Sequence, residues 1–129
     1  MNVLDENIAA QPREQLRQWR IPFRRVGEHL AAYGALDENL IGMLHQLPQP
    51  TFFTHDEDFF KASFCHSHYA LVYLDVSDNQ TAEFIRRFLK HPAFNTQAKR
   101  LGLVARVRSS AVQFWRKGQP GLQNVKWEQ

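Results

Sequence analysis

Three aspartates carry the chemistry that this chain could do. Asp5 follows the short apolar run Asn2-Val3-Leu4, and Asp56 and Asp58 follow Thr51-Phe52-Phe53-Thr54. Both runs read as strands, the second strongly, because β-branched and aromatic residues fit a buried pleated surface. Open α/β sheets bind ligands beyond the carboxyl ends of their strands. If these two strands are neighbours, three carboxylates converge in one crevice. Carboxylates held a few ångströms apart repel one another and favour a hard divalent cation between them. Mg²⁺ typically takes one or two carboxylates, waters and substrate phosphate oxygens. Such an ion lowers the pKa of a bound water and neutralises charge building on phosphorus. The chemistry on offer is hydrolysis of a phosphodiester with Mg²⁺ or Mn²⁺. A fourth acid usually completes such a site from a helix, and Asp37 and Glu38 are the candidates. Consecutive residues differ by about 100° around a helix, so spacing alone does not choose between them. A plainer reading competes: acids after strands also cap helices and form turns. On that reading Asp56 caps the segment after it, while Glu6 and Glu57 face solvent.

The elements that must position these acids alternate along the chain. Pro12, Leu16 and Trp19 predict a helix over 11–20, and Ile21-Pro22-Phe23-Arg24-Arg25-Val26 a short strand. Asp37 precedes the stripe Leu40, Ile41, Leu44, Leu47, which predicts a helix over 37–47 with Asp37 as N-cap or first-turn acid. Pro48 and Pro50 end it. Residues 59–68 connect to a nearly continuous apolar strand over 69–76, expected to be covered on both faces. Ser77 and Gln80 stand at capping-box spacing before a helix marked by Phe84, Ile85, Phe88 and Leu89. Two strands follow, over 103–107 and 111–115, joined by Ser109-Ser110. Strands alternating with helices predict an α/β fold: a mostly parallel central sheet with helices on both faces. The domain is expected over 1–117, and 118–129 reads as a C-terminal tail.

Composition sets the outer bounds. A chain of 129 residues with 43% apolar residues and ten Phe is globular and of single-domain size. Cys65 is the only cysteine, so an intrachain disulfide and a four-cysteine metal site are excluded. The N-terminus lacks the apolar run of a signal peptide, and no stretch approaches a membrane span. A cytoplasmic protein is expected. Net charge is only +3, yet between Arg86 and Lys126 stand ten Lys and Arg and no Asp or Glu. Arg86, Arg87 and Lys90 on a helix, and Arg106 and Arg108 on a strand, are the candidate RNA phosphate contacts. They are expected to lie away from Phe84 and Phe88, and Trp115 and Trp127 could stack on bases. Each of these side chains also fits a plain solvated or core role. Cys65-His66-Ser67-His68 is too tightly spaced for three ligands on one zinc. The six glycines form no phosphate loop, which argues against a flavodoxin-like small-molecule enzyme.

Three segments carry a resemblance. Leu4-Asp5-Glu6-Asn7-Ile8, Leu36-Asp37-Glu38-Asn39-Leu40-Ile41 and Phe53-Thr54-His55-Asp56-Glu57-Asp58-Phe59 resemble a small PIN-like family of the PIN nuclease superfamily. Its members show a "LLDENL" start, a "SDEEIL" helix and a "TRDKDF" strand end, and many are toxins of toxin–antitoxin pairs. The similarity spans roughly residues 1–76. It implies a three-layer α/β/α sandwich and a Mg²⁺- or Mn²⁺-dependent ribonuclease. Asp5, Asp37, Asp56 and Asp58 match its catalytic and metal-binding acids, with Glu38 beside Asp37. RNA is then the substrate, and a protein antitoxin and a second copy of the chain are the partners to expect. A binding module of the same fold, without catalysis, is the alternative. The chain departs from the pattern in its truncated first strand, in Leu36 where a small residue is usual, and in His55 where a basic residue often stands.

Overall fold

Each strand of the chain is short, and each is flanked by the turn or helix that its sequence demands. The computed structural model describes residues 1–27 and 37–127, with the backbone alone for Asp37 and Glu38. In chain order these form β1 (Asn2–Leu4), α1 (Ala10–Gln18), β2 (Arg24–Arg25), α2 (Asp37–Gln46), β3 (Thr51–Thr54) and β4 (Ala70–Asp75). They continue with α3 (Thr81–Lys90), the single turn α4 (Gln97–Arg100), β5 (Leu103–Arg108), β6 (Ala111–Arg116) and β7 (Gln123–Lys126). One sheet runs in the order β2-β1-β3-β4-β5-β6-β7. The first five of these are parallel; β6 runs antiparallel to β5, and β7 antiparallel to β6. The fold is therefore α/β, with a seven-stranded, mixed, mostly parallel sheet and three helices of nine or ten residues. No helix among the described residues is long and apolar enough to cross a membrane.

Alternation along the strands sorts the core into two clusters, one on each face of the sheet. Leu4, Phe53, Val72, Leu74, Ala105 and Val107 pack with Leu16 of α1 and with Phe84, Ile85 and Phe88 of α3. Val3, Phe52, Leu71 and Val104 pack with Leu40 and Leu44 of α2 and with Phe59. α3 follows a 3-10 turn at Asp78–Gln80. Ser77 Oγ lies 2.6 Å from Asn79 Oδ1 and 2.9 Å from Gln80 Oε1, sharing its one hydrogen between them, in place of the expected capping box. At the other end His91 precedes Pro92 and takes an extended ψ of 135°, because the proline ring disfavours helix in the residue before it.

Several boundaries differ from expectation for local reasons. α1 stops at Gln18, where Arg20 turns to a φ of 60°. The amide of Ile21 bonds to the Leu16 carbonyl and that of Arg20 to the Arg17 carbonyl, closing a Schellman motif. The strand expected over 21–26 shrinks to Arg24–Arg25. The larger correction is at the C-terminal end. Residues 118–129 are not a tail along their described length: Gln123–Lys126 pair with β6 as the sheet's edge strand. Val125 and Trp127 both pack against the α1/α3 cluster, and a period of two over so few residues is easily missed.

Candidate functional site

β1 and β3 are parallel neighbours, and chain order reverses between them. In open α/β sheets that switch point opens a crevice at the carboxyl ends of the strands. Asp5 is the first residue past β1. Its amide donates to the Phe53 carbonyl at 3.0 Å, which extends the β1–β3 ladder by one step. Its side chain then falls on the same face as Val3 and beside Thr54, with only 6% of the residue exposed. Thr54 Oγ1 donates to Asp5 Oδ2 at 2.6 Å and accepts the Asp56 amide at 3.0 Å. One hydroxyl thus ties the first acid to the backbone of the second. Burial pushes the Asp5 carboxyl above the ordinary aspartate range; the Thr54 hydroxyl and the Glu6 amide oppose that rise, and the charges of Glu6 and Asp56 add to it.

The three predicted aspartates do not converge equally. Asp56 and Asp58 are both exposed. Asp56 Oδ1 accepts the Asp58 amide at 2.9 Å and so caps the 3-10 turn Glu57–Phe59, as the plainer reading anticipates. Among the described residues, no group of three His, Cys, Asp or Glu side chains is arranged to hold a metal ion. The side chains of Asp37 and Glu38 lie outside the described residues. The backbone of α2 is informative even so. Its last turn holds His45 against Tyr69, which immediately precedes β4, at a ring separation of 5.3 Å. Ten residues of helix span about 15 Å, so its first turn points toward the carboxyl ends of the strands.

The donor set suits a hard cation. Asp5 offers a desolvated carboxylate with acceptor capacity beyond its two described hydrogen bonds. Asp56 offers an exposed one nearby. Two carboxylates completed by water and phosphate oxygens are what Mg²⁺ typically takes. His55, between them in sequence, has a structural task instead. Its Nδ1 donates to the Leu74 carbonyl at 2.9 Å, because a carbonyl only accepts. Its Nε2 lies 2.8 Å from Thr81 Oγ1. The ring thereby ties the end of β3 to the end of β4 and to the start of α3.

The predicted phosphate contacts divide between the two faces. Arg106 donates from Nε and Nη2 to Asp75 Oδ2, at 2.9 and 2.6 Å, and Arg108 Nε lies 3.8 Å from the same oxygen. These three lie on the face of the sheet that carries Asp5. Arg86, Arg87 and Lys90 lie at the end of α3 on the other face, around a cavity of about 450 Å³ shared with His91, Pro92 and Trp127. They do not all avoid the apolar side chains. The Arg87 guanidinium lies 4.8 Å from the Phe84 ring and 4.9 Å from Trp127, and that of Arg86 lies 3.8 Å from Trp19. Trp115 is half-buried, 4.5 Å from Phe60, and Trp127 donates to the Arg108 carbonyl at 2.7 Å.

Four residues that bear on the site were not assigned to it by the sequence: Thr54, His55, Tyr73 and Asp75. The signal for the last two was the alternation Tyr73-Leu74-Asp75, hidden inside an otherwise apolar strand. β4 is covered on both faces only over its first half, since Tyr73 and Asp75 are half-buried. Against known proteins, no family model, curated protein or solved structure matches the chain.

Proposed function

We propose that the chain is a metal-dependent endoribonuclease with a PIN-like, three-layer α/β/α architecture, acting in the cytoplasm as the toxin of a toxin–antitoxin pair. The observation that carries this is the Thr54 bridge between Asp5 and the Asp56 backbone, at the switch point of the sheet. The three acidic segments that resemble the PIN-like family support it from the sequence side. A bound Mg²⁺ or Mn²⁺ would activate water and offset charge on the scissile phosphate. Asp5 would be its fixed ligand, with its orientation preset by Thr54 and its burial cost relieved by the cation. Asp56 would complete the pair from the exposed side, and Asp37 or Glu38 would add a ligand from the first turn of α2. Asp58, exposed at the rim, would bind through water or orient the attacking water. Arg108 would receive a flanking phosphate, and Arg106 would contact the RNA beside it.

A second reading is favoured by one observation: the Asp56 carboxylate already has a purpose as a cap. On that reading the fold is a non-catalytic module that binds RNA or a protein partner, such as an antitoxin or a second copy. Incubation of a set of single-stranded RNAs with Mn²⁺ or Mg²⁺ separates the two. A nuclease cleaves, and both Asp5→Asn and Asp56→Asn slow cleavage by on the order of 100-fold. Intact RNA under both metals, with salt-sensitive binding that Asp56→Asn leaves unchanged, identifies the module instead.

A further inference from the structure

Strand register aligns a row of polar side chains across the face that carries Asp5. Thr54 pairs with Tyr73, Tyr73 with Arg106, Arg106 with Gln113, and Gln113 with Asn124. Asp5 stands next to Thr54 at the head of the row. Six strands at about 4.8 Å spacing make this row about 24 Å long. The next row toward the carboxyl ends pairs Asp75 with Arg108 and Ala111 with Lys126. From β1 to β6 the row on the other side is apolar, pairing Val3, Phe52, Leu71, Val104 and Trp115 in turn. The described part of α2 covers the apolar row through Leu40 and Leu44. Asp5 and Thr54 are buried, and beyond them the polar rows stay accessible: Tyr73, Arg106 and Gln113 are half-buried, and Arg108, Asn124 and Lys126 are exposed.

We propose that these polar rows form a binding track for single-stranded RNA that leads into the Asp5–Asp56 crevice. The proposal rests on the nuclease reading of that crevice and gives it a substrate path. Beyond Asp5 at the head of the row, Arg106, Arg108 and Lys126 share these strands with the single carboxylate of Asp75, which suits a polyanion. A protein interface of this size would carry an apolar core, and these rows have none. Single strands are recognised by stacking on aromatic or guanidinium planes and by hydrogen bonds to unpaired base edges. The row offers both. Asp75 holds the Arg106 guanidinium through two hydrogen bonds, 5.8 Å from the Tyr73 ring centroid, so a planar stacking partner is preset. Gln113 and Asn124 supply amides that both donate and accept. Arg108 and Lys126 hold phosphates along the upper rim. Bases therefore lie on the lower row and the backbone on the upper.

The test uses the full chain in EDTA, so that binding is read without cleavage. A short single-stranded RNA carrying 4-thiouridine is photo-crosslinked and the crosslinked peptides are mapped. Affinity is measured in parallel by fluorescence anisotropy for wild type, Gln113→Glu and Asn124→Glu, whose thermal midpoints report that the fold is kept. Crosslinks in β4 to β6, with binding weakened by about 10-fold in each variant, support the track. Crosslinks confined to the α3 end around Lys90 and Trp127, or unchanged affinity in both variants, overturn it. Metal-dependent cleavage that persists while the track variants bind normally overturns the track and leaves the nuclease. RNA held on the track without cleavage under any metal supports the track and overturns the nuclease.

Discussion

The two faces of the sheet differ most at one level, near the carboxyl ends of the strands. On the α1/α3 face the last row pairs Leu74, Val107, Val112 and Val125, all apolar, with Phe84 and Trp127 packed in the same cluster. One residue away on the opposite face stand Tyr73, Arg106, Gln113 and Asn124. The same strands make both rows, because successive side chains point to opposite faces. One face carries its hydrophobic burial to the rim. The other gives up its upper half: there Asp5 is buried against the Thr54 hydroxyl, and Arg106 is half-buried against Asp75.

The comparison breaks if both faces respond alike to truncation. Phe88 is fully buried, with ring centroids 6.0 Å from Phe53 and 4.7 Å from Phe94. Phe88→Ala is expected to cost about 3–5 kcal/mol in denaturant unfolding. Gln113→Ala, on the polar row, is expected to stay within about 0.5 kcal/mol. Similar losses in the two would show that the upper half of the α2 face is as much core as the other.

Next in size is Thr54→Val, which keeps the side chain's shape and removes the bridge. Asp5 loses a donor and the Asp56 amide loses an acceptor, so a loss of about 1–2 kcal/mol is expected by the same method. Asp5→Asn acts in the opposite direction. Burial holds the Asp5 carboxyl above the ordinary range, so its ionised form costs stability in the fold. Wild-type stability from this group is greatest below the ordinary carboxylate pKa and falls as pH rises through the raised value. Metal-free Asp5→Asn should therefore melt above wild type at neutral pH, by less than Thr54→Val loses, and the gap should close on acidification. A gap that widens with acid would reverse the assignment. Smallest among the charged positions is Asp75→Asn. That ion pair is about one-third exposed, so less than about 1 kcal/mol of stability is at stake. The variant also releases the Arg106 guanidinium that Asp75 presets, so its RNA affinity should fall at high salt, where the positive charge gained is screened.

What the sequence announced was set by local patterning. Thr51–Thr54 was readable in full from its own residues, and α3 from its 3.6-residue stripe. Asp5 and Asp56 were readable as acids at strand ends. Their adjacency required β1 to pair with β3, a non-local choice that neither strand encodes alone. Thr54 looked like any strand threonine until that pairing put it against Asp5. The polar row was invisible for the same reason: Tyr73, Arg106, Gln113 and Asn124 stand 33, 7 and 11 residues apart in sequence, and only register aligns them. β7 escaped notice because an edge strand needs just one apolar face, here Val125 with Trp127 beyond it. Asp58 was grouped with the other acids by spacing, whereas the cap made by Asp56 commits the backbone there to a turn.

On the proposed reading, the carboxylates where β1 and β3 end hold a divalent cation. A crystal soaked in Mn²⁺ and measured for anomalous scattering tests it most directly. A peak about 2.1 Å from carboxylate oxygens of both Asp5 and Asp56, absent in Asp5→Asn, is the expected result. No peak in the crevice, or one that persists unchanged in Asp5→Asn, would contradict the account.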